Sequence, residues 1–240
     1  MALLRAEIRR QLGRRGSIWG SAGVLALIAG GILLWTLLGT DVTGAKVIDN
    51  AAGVIGFFIF LVAVVIGALA GSYDVDQGTM RYLVLTGVSR TRLALVRLPA
   101  LMISLVAITL PAYALVLVSF MIAGSEAPTG EMWLNLFYQP LMIAWIYGAI
   151  SLAIGMLLRS NGVAIAVAMV TNFAGGLLAI LIADKVSALA GELFISASAA
   201  IVVDRNAGDE LSVAAAAAVT VIWLVVLLGA AVARVQRAEY

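Results

Sequence analysis

Residues 51–70 read AAGVIGFFIFLVAVVIGALA, twenty consecutive residues without a charged side chain. An α-helix rises about 1.5 Å per residue, so roughly 20 apolar residues cross the hydrocarbon core of a bilayer. Inside lipid every backbone N–H and C=O group needs a partner within the protein, which a helix supplies. This stretch therefore predicts a membrane-spanning helix.

Five more stretches of similar length and composition occur along the chain. They are Ile18–Leu38, Leu98–Ala123, Leu134–Leu158, Val163–Ala183 and Val213–Ala233, and none has a charge in its interior. The chain is 63% hydrophobic and 12% charged, whereas soluble domains have about 45–50% and about 25%. We predict an all-α polytopic membrane protein with six transmembrane helices, built as a single transmembrane domain over residues 1–240. Pro111 should kink the third span.

The distribution of Lys and Arg predicts the orientation, because cytoplasmic loops are rich in these residues. With the N-terminus inside, twelve of the fifteen basic residues fall in cytoplasmic segments and three fall outside. We therefore expect both termini in the cytoplasm and the chain in the cell (inner) membrane. The first apolar run is 21 residues long, longer than the 7–15 residues of a signal peptide, so we expect it to be a retained helix.

Two segments outside the spans are themselves partly apolar. Residues 1–16 place Leu3, Leu4, Ile8 and Leu12 on one helical face with arginines around it, which predicts an amphipathic interfacial helix; simple positive-inside anchoring is the alternative. Residues 184–210 lie outside. Their apolar part, 186–203, is too short and too polar for a span, so a helix lying at the outer face or dipping into it is expected.

The cytoplasmic loop of residues 72–97 contains a short predicted helix. Gly78 permits a tight bend and Thr79 is a good N-cap, so a helix over 80–86 is expected, with Gly87 as its C′ residue. Ser89 is the next N-cap and opens the third span. The short helix is expected to expose Met80, Leu83 and Val84, and such exposed apolar helices usually have a partner.

This loop resembles the permease subunits of ABC-2 type transporters. The resemblance consists of an acidic residue, Gly-Thr, a short apolar helix, Ser-Arg and a final basic residue, which are here Asp74, Gly78, Thr79, Ser89, Arg90 and Arg97. The family commonly has Glu, a Pro two before the Arg, and Lys, where this chain has Asp74, Val88 and Arg97. The resemblance covers the whole chain in architecture and residues 72–97 in sequence detail.

The resemblance implies a role as the membrane half of an ATP-driven exporter. The short helix would be a coupling helix that docks on a separate ABC ATPase subunit, which would bind the ATP and Mg²⁺, while this chain binds no cofactor. A second permease, identical or different, would complete the pump, and membrane lipid is the other expected contact; no nucleic acid is expected. The residues implied in coupling are Asp74, Gly78, Thr79, Met80, Arg81, Leu83, Ser89, Arg90 and Arg97.

The sequence contains no pattern by which this chain itself would bind ATP or couple to an ion gradient, so the energy for transport is expected from another subunit. The chain has no Gly-x-x-x-x-Gly-Lys-Ser/Thr loop for a nucleotide, and its spans lack the carboxylates of ion-coupled carriers. It has no Cys and no His, so most enzyme chemistry is excluded and we do not expect an enzyme; Asp74 and Asp76 alone are a poor Mg²⁺ site. A non-transporting membrane anchor or sensor subunit that docks a cytoplasmic partner remains the alternative.

Polar residues within the spans are candidates for a substrate path. They are Thr109, Gln139, Tyr147, Thr171 and Asn172, of which Asn172 is the costliest to bury. Most such residues simply bond a neighbouring helix, so packing is the competing interpretation. Gly67 and Gly71 match the small-xxx-small packing motif, a weak pattern in a chain rich in Ala and Gly. The sequence does not identify the substrate; a path lined without charges only suggests a hydrophobic, lipid-like or amphipathic cargo such as a drug or peptide.

Overall fold

The computed structural model describes residues 2–13, 15–39, 42–85, 87–124, 126–158, 160–205, 208 and 210–237. In those ranges the chain is helical and contains no strand. The helices are α1 (Ala2–Leu12), α2 (Arg15–Leu38), α3 (Gly44–Asp76), α4 (Met80–Leu85), α5 (Arg90–Ala123), α6 (Gly130–Leu157), α7 (Asn161–Lys185), α8 (Ala188–Glu192), α9 (Ile195–Asp204) and α10 (Val213–Arg237).

Six of these helices are long and apolar enough to span a membrane: α2, α3, α5, α6, α7 and α10. The predicted fold class, an all-α polytopic membrane protein with six spans, is therefore confirmed. The helices α3 and α5 are 33 and 34 residues long, about 50 Å each, and so exceed a hydrocarbon core of about 30 Å. Both helices are longer than the predicted apolar runs: α3 ends only at Asp76, and α5 already begins at Arg90. Charged residues at the ends of a span do not interrupt the backbone hydrogen bonds of a helix.

The chain divides into two compact units, and α3, α5 and α6 continue from one into the other. The first unit contains residues 1–63 and 100–145, and the second contains residues 64–99 and 146–240. The helix α5 is continuous through Pro111, and the kink expected there stays a prediction.

In the first unit, the helix α1 buries a face that carries two polar side chains. Gln11 and Glu7 are its buried side chains, and the hydroxyl of Ser104 on α5 donates to Gln11 Oε1 at 3.2 Å. Gln11 Nε2 in turn donates to Glu7 at 3.3 Å. The separate N-terminal helix was predicted correctly, and its expected position on the inner membrane surface stays a prediction; the sequence analysis did not single out Glu7 and Gln11, its buried polar residues. Glu7 and Gln11 are tolerated there because they bond each other and Ser104.

In the second unit α3 and α6 pack backbone against backbone. A Cβ atom added to Gly67 or Gly71 would overlap the carbonyl oxygen of Gly148 or Leu152 on α6, and one on Gly155 would overlap that of Ala68 on α3. Close approach of this kind is what glycines four residues apart provide between membrane helices. The weak Gly67–Gly71 pattern thus marked a real helix contact.

The segment between α7 and α10 forms two short helices that fold back along α7. Gly191 of α8 lies against Ala179 and Ala183, and Ser196 of α9 lies beside Gly175, ten residues or about 15 Å before the end of α7. Among the described residues of this segment, α8 and α9 have 5 and 10 residues, so neither spans a bilayer. Its expected position, at the outer face or dipping into it, stays a prediction.

The tip of this hairpin is bonded to α10. The indole Nε1 of Trp223 donates to the carbonyl oxygen of Leu193 at 3.0 Å, and Trp223 lies ten residues, about 15 Å, beyond the start of α10. Near the start of α10, the Glu192 carboxylate accepts from the backbone N–H of Leu211 at 2.7 Å. The carbonyl group of Leu193 and the backbone N–H of Leu211 are thus bonded within the protein, which a position inside the membrane would require.

Replacing Trp223 by Phe should loosen the hairpin. The carbonyl of Leu193 then has no donor in lipid, and we expect the free energy of unfolding to fall by about 1 to 2 kcal/mol. Denaturant titration in mixed micelles measures this, with Trp19→Phe, at an exposed indole on α2, as the control. Equal losses in the two variants would show that the indole bond does not hold the tip.

Candidate coupling site

Two glycines with left-handed backbone isolate the helix α4 from its neighbours. Gly78 has φ = +66° and Gly87 has φ = +79°, conformations that cost little only without a Cβ. The predicted bend and the predicted C′ glycine are therefore confirmed. The hydroxyl of Ser89 accepts from the backbone N–H of Arg92 at 3.4 Å, so Ser89 caps α5 as expected.

Thr79 precedes α4 as predicted. Its hydroxyl, however, bonds back to Asp74 at the end of α3 and not forward to an N–H group of α4. Its hydroxyl lies 3.3 Å from the carbonyl oxygen and 3.4 Å from Oδ1 of Asp74. Its own carbonyl oxygen accepts from the N–H of Tyr82 at 3.1 Å. The residue therefore fastens the start of α4 to the end of α3.

A buried ion pair joins the end of α3 to the first turns of α5, the two helices on either side of α4. Asp74 and Arg97 are each 2% exposed, and Arg97 Nη2 is paired with Asp74 Oδ2. Arg97 Nη1 also donates to the carbonyl oxygen of Gly71 at 2.9 Å. Two buried charges are tolerated only when paired and hydrogen-bonded, so this end of the loop is ordered and is not a solvated turn.

The same pair buries the first side chain of α4. Met80 is 2% exposed, and its sulfur lies 3.8 Å from Arg97 Nη2. The expectation that Met80 is exposed was therefore wrong, because the thioether packs against the guanidinium. The side chains of Arg81, Leu83 and Val84 lie outside the described residues.

Two other side chains of α4 are exposed. Tyr82 is 71% and Leu85 is 73% exposed. They are three residues apart, so they lie on one face of the helix. We call Tyr82 and Leu85 the docking patch. The sequence analysis did not single out either residue, although both belong to the apolar helix that it predicted.

A second carboxylate connects the end of α3 to the start of α7. Asp76 accepts from the backbone N–H of Asn161 at 3.2 Å and from its Nδ2 at 2.8 Å. The Asn161 Oδ1 lies 2.8 Å from the hydroxyl of Ser72. A carboxylate at a helix N-terminus is stabilised by the exposed N–H groups and the helix dipole. Sequence reasoning missed this link, which joins residues 85 positions apart.

The start of α5 is connected in turn to the end of α10. Arg90 Nη1 donates to the carbonyl oxygen of Gln236 at 3.1 Å, and Gln236 Nε2 donates to the hydroxyl of Thr91 at 2.9 Å. Arg90 thus bonds another helix end, which is compatible with its expected place near the membrane surface. Within the second unit, the loop that contains α4 is bonded to the ends of α3, α5, α7 and α10.

The described residues contain no group of three or more acidic, Cys or His side chains placed to hold a metal ion. Asp74 and Asp76, the two acids weighed for Mg²⁺, bond Arg97 and Asn161 respectively. Their carboxylates act as structural links between helices in this conformation.

The candidate substrate-path residues are divided between the two units. Thr109 and Gln139 belong to the first unit, and Tyr147 and Asn172 belong to the second. Asn172 is buried and its Nδ2 lies 2.7 Å from the carbonyl oxygen of Ala168 and 3.3 Å from Ser151 Oγ on α6. This is the helix-packing role that the sequence left as the alternative. Thr109, also buried, donates to the carbonyl oxygen of Val106 at 2.8 Å and lines a cavity of the first unit.

Comparison with known protein families and with curated proteins finds no match to this chain.

Removing one member of the buried ion pair should destabilise the protein strongly. Asp74→Asn or Arg97→Met leaves the other group buried without its counter-charge, so we expect a loss of about 3 to 5 kcal/mol in the free energy of unfolding. The double variant Asp74→Asn/Arg97→Met should lose less than the sum of the two single variants. Denaturant titration in mixed micelles measures all three.

The exposed pair Asp184–Lys185, 2.7 Å apart, offers the matched control. The substitution Asp184→Asn should leave stability unchanged, because exposed ion pairs contribute little. Additive effects at Asp74 and Arg97 would contradict a direct interaction between them.

Proposed function

We propose that this chain is the membrane-spanning permease subunit of an ATP-driven, ABC-type exporter, which couples ATP hydrolysis on a separate ATPase subunit to substrate translocation. The observation that supports it best is α4 itself. An exposed apolar patch of Tyr82 and Leu85 is presented by a short helix whose opposite side is fixed by the buried Asp74–Arg97 pair. A surface helix that is apolar outside and rigidly held inside is suited to receiving a partner.

The bonding around α4 suggests how a push from the partner reaches the spans. A force on the docking patch passes through Met80 to Arg97 on α5 and through Asp74 to α3. Because these contacts are buried and close-packed, α4 cannot tilt without moving the ends of both helices. The links Asp76–Asn161 and Arg90–Gln236 extend the same movement to α7 and α10. The working assembly is two permeases, identical or different, with two ATPase subunits that bind ATP and Mg²⁺.

The sequence supports an external motor. It contains no phosphate-binding loop, and the apolar core runs of its six spans contain no carboxylate in their interior, so neither nucleotide binding nor ion coupling by this chain is indicated. The orientation proposed from the arginine distribution puts α4 and both termini in the cytoplasm of a cell with an inner membrane. There an ATPase subunit reaches the docking patch.

A charge on the docking patch should uncouple the pump. Leu85→Asp places a carboxylate in the apolar contact with the ATPase, so we expect binding of the ATPase to fall at least about tenfold, since a buried unpaired charge costs more than 1.4 kcal/mol. Membrane insertion should be normal because the change lies outside the spans. Affinity purification with quantitative mass spectrometry, and ATP-dependent transport in vesicles, measure the two effects.

Val186→Asp is the matched control. Val186 is exposed and apolar to a similar degree, but it follows α7, on the opposite side of the membrane in the proposed topology. Its ATPase binding should be unchanged. Unchanged binding in Leu85→Asp, or recovery of a kinase or receptor in place of a chain with a phosphate-binding loop, would contradict the exporter and favour the anchor or sensor.

A further inference from the structure

Four arginines lie where α5 begins and α10 ends, in the second unit. The ends of these two helices are bonded to each other twice, from Arg90 to the carbonyl oxygen of Gln236 at 3.1 Å and from the Gln236 amide to the hydroxyl of Thr91 at 2.9 Å. Each arginine is within two residues of one of these bonds along the chain. We call them the arginine cluster: Arg90, Arg92, Arg234 and Arg237.

Most of this positive charge is open to the surroundings. Arg92, Arg234 and Arg237 are exposed, and within the part of the chain that the structure describes none of the three forms an ion pair with a carboxylate. The nearby acids at the end of α3 bond elsewhere, Asp74 to Arg97 and Asp76 to Asn161. A local excess of one sign of charge on an exposed surface attracts ions of the opposite sign.

The surface of α10 that leads to the arginine cluster is apolar. Only 11% of the residues in its apolar run are buried, against 67% in α6, and Val225 and Val226 are 65% and 56% exposed. Val226 lies eight residues before Arg234, which is about 12 Å along the helix. The hydrocarbon of one leaflet is about 15 Å thick, half of the whole core. An acyl chain that packs on these valines therefore places its headgroup at the level of the arginines.

The combination of charge and apolar surface distinguishes between the anions that the cluster could attract. A soluble anion would use the arginines alone, and an acidic segment of another protein would not reach the apolar surface within the bilayer. An anionic phospholipid uses both. The guanidinium group donates two parallel hydrogen bonds to a phosphate, and basic clusters directly beyond the end of a membrane helix are typical sites for anionic headgroups.

We propose that the arginine cluster binds the headgroup of an anionic phospholipid whose acyl chains lie along α10. The headgroup bridges the first turn of α5 and the last turn of α10, which are otherwise joined there by two hydrogen bonds at an exposed surface. The bound lipid thus stabilises the end of α5 that directly follows the loop containing α4. This site needs no ATPase, so its test is independent of the proposed function.

Competition between two lipids tests the site. Native mass spectrometry of the full chain in a neutral detergent counts bound lipids from an equimolar mixture of phosphatidylglycerol and phosphatidylcholine with identical acyl chains. We expect the parent protein to prefer phosphatidylglycerol. The double variant Arg234→Gln/Arg237→Gln should reduce this preference at least about tenfold, since each arginine close to anionic lipid contributes about fivefold. Arg234→Lys/Arg237→Lys, which keeps both charges, should retain most of it.

Two controls separate the site from folding and from net charge. Both substituted arginines are exposed and lie beyond the apolar run, so without lipid the Gln variant should unfold at a temperature close to that of the parent. The variant Lys46→Gln/Lys185→Gln removes the same charge from two other exposed positions and should keep the preference for phosphatidylglycerol.

Equal binding of the two lipids by the parent protein would overturn the proposal and leave the arginines as simple topology signals. An unchanged preference in Arg234→Gln/Arg237→Gln, or an equal loss in Lys46→Gln/Lys185→Gln, would also overturn it, because the preference would then come from other residues or from net charge. Inorganic phosphate at the concentration of the lipid should not raise the unfolding temperature. A rise as large as that with phosphatidylglycerol would show a site for a soluble anion and not for a lipid.

Discussion

The ion pair between Asp74 and Arg97 is the interaction on which the arrangement of the second unit depends. It lies where α3 ends and α5 begins, two helices that are separated along the chain by the loop containing α4. Because both groups are buried, neither can leave the other without a large desolvation cost. The pair therefore fixes the ends of two long helices and provides the surface on which Met80 packs. The exposed face of α4, formed by Tyr82 and Leu85, is a consequence of that fixed inner side.

The same principle explains the polar residues elsewhere in this apolar chain. Asn172 bonds Ser151, Thr220 bonds Ser198 at 3.1 Å, and Trp223 bonds the carbonyl of Leu193. Each bond joins different elements of the second unit. Polar groups within a bilayer have no water as a hydrogen-bond partner, so they bond to neighbouring helices. Tyr113, Trp145 and Ser196 depart from this pattern, since one buried polar side-chain atom of each has no hydrogen-bond partner in the described chain.

The sequence predicted the spans well because their cause is local. Twenty apolar residues in succession are sufficient evidence for a membrane helix, and the glycines around α4 marked its ends for the same kind of local reason. Local sequence patterns did not predict contacts between residues that are far apart along the chain. Asp76 and Asn161 are bonded across 85 residues, and Met80 is buried by a residue 17 positions later. No pattern within α4 distinguishes its buried face from its exposed one, so Met80 was assigned to the wrong side.

We propose that the exposed face of α4 contacts an ATPase subunit in the cytoplasm, and crosslinking tests this contact directly. The chain has no natural cysteine, so a single Cys at position 85 can carry a photo-crosslinker and be activated in intact cells. We expect the crosslinker to form an adduct with a second chain that contains a Gly-x-x-x-x-Gly-Lys-Ser/Thr loop. The unmodified Cys should not react with a membrane-impermeant thiol reagent added outside. Labelling from outside, or an adduct only with chains that lack such a loop, would contradict it.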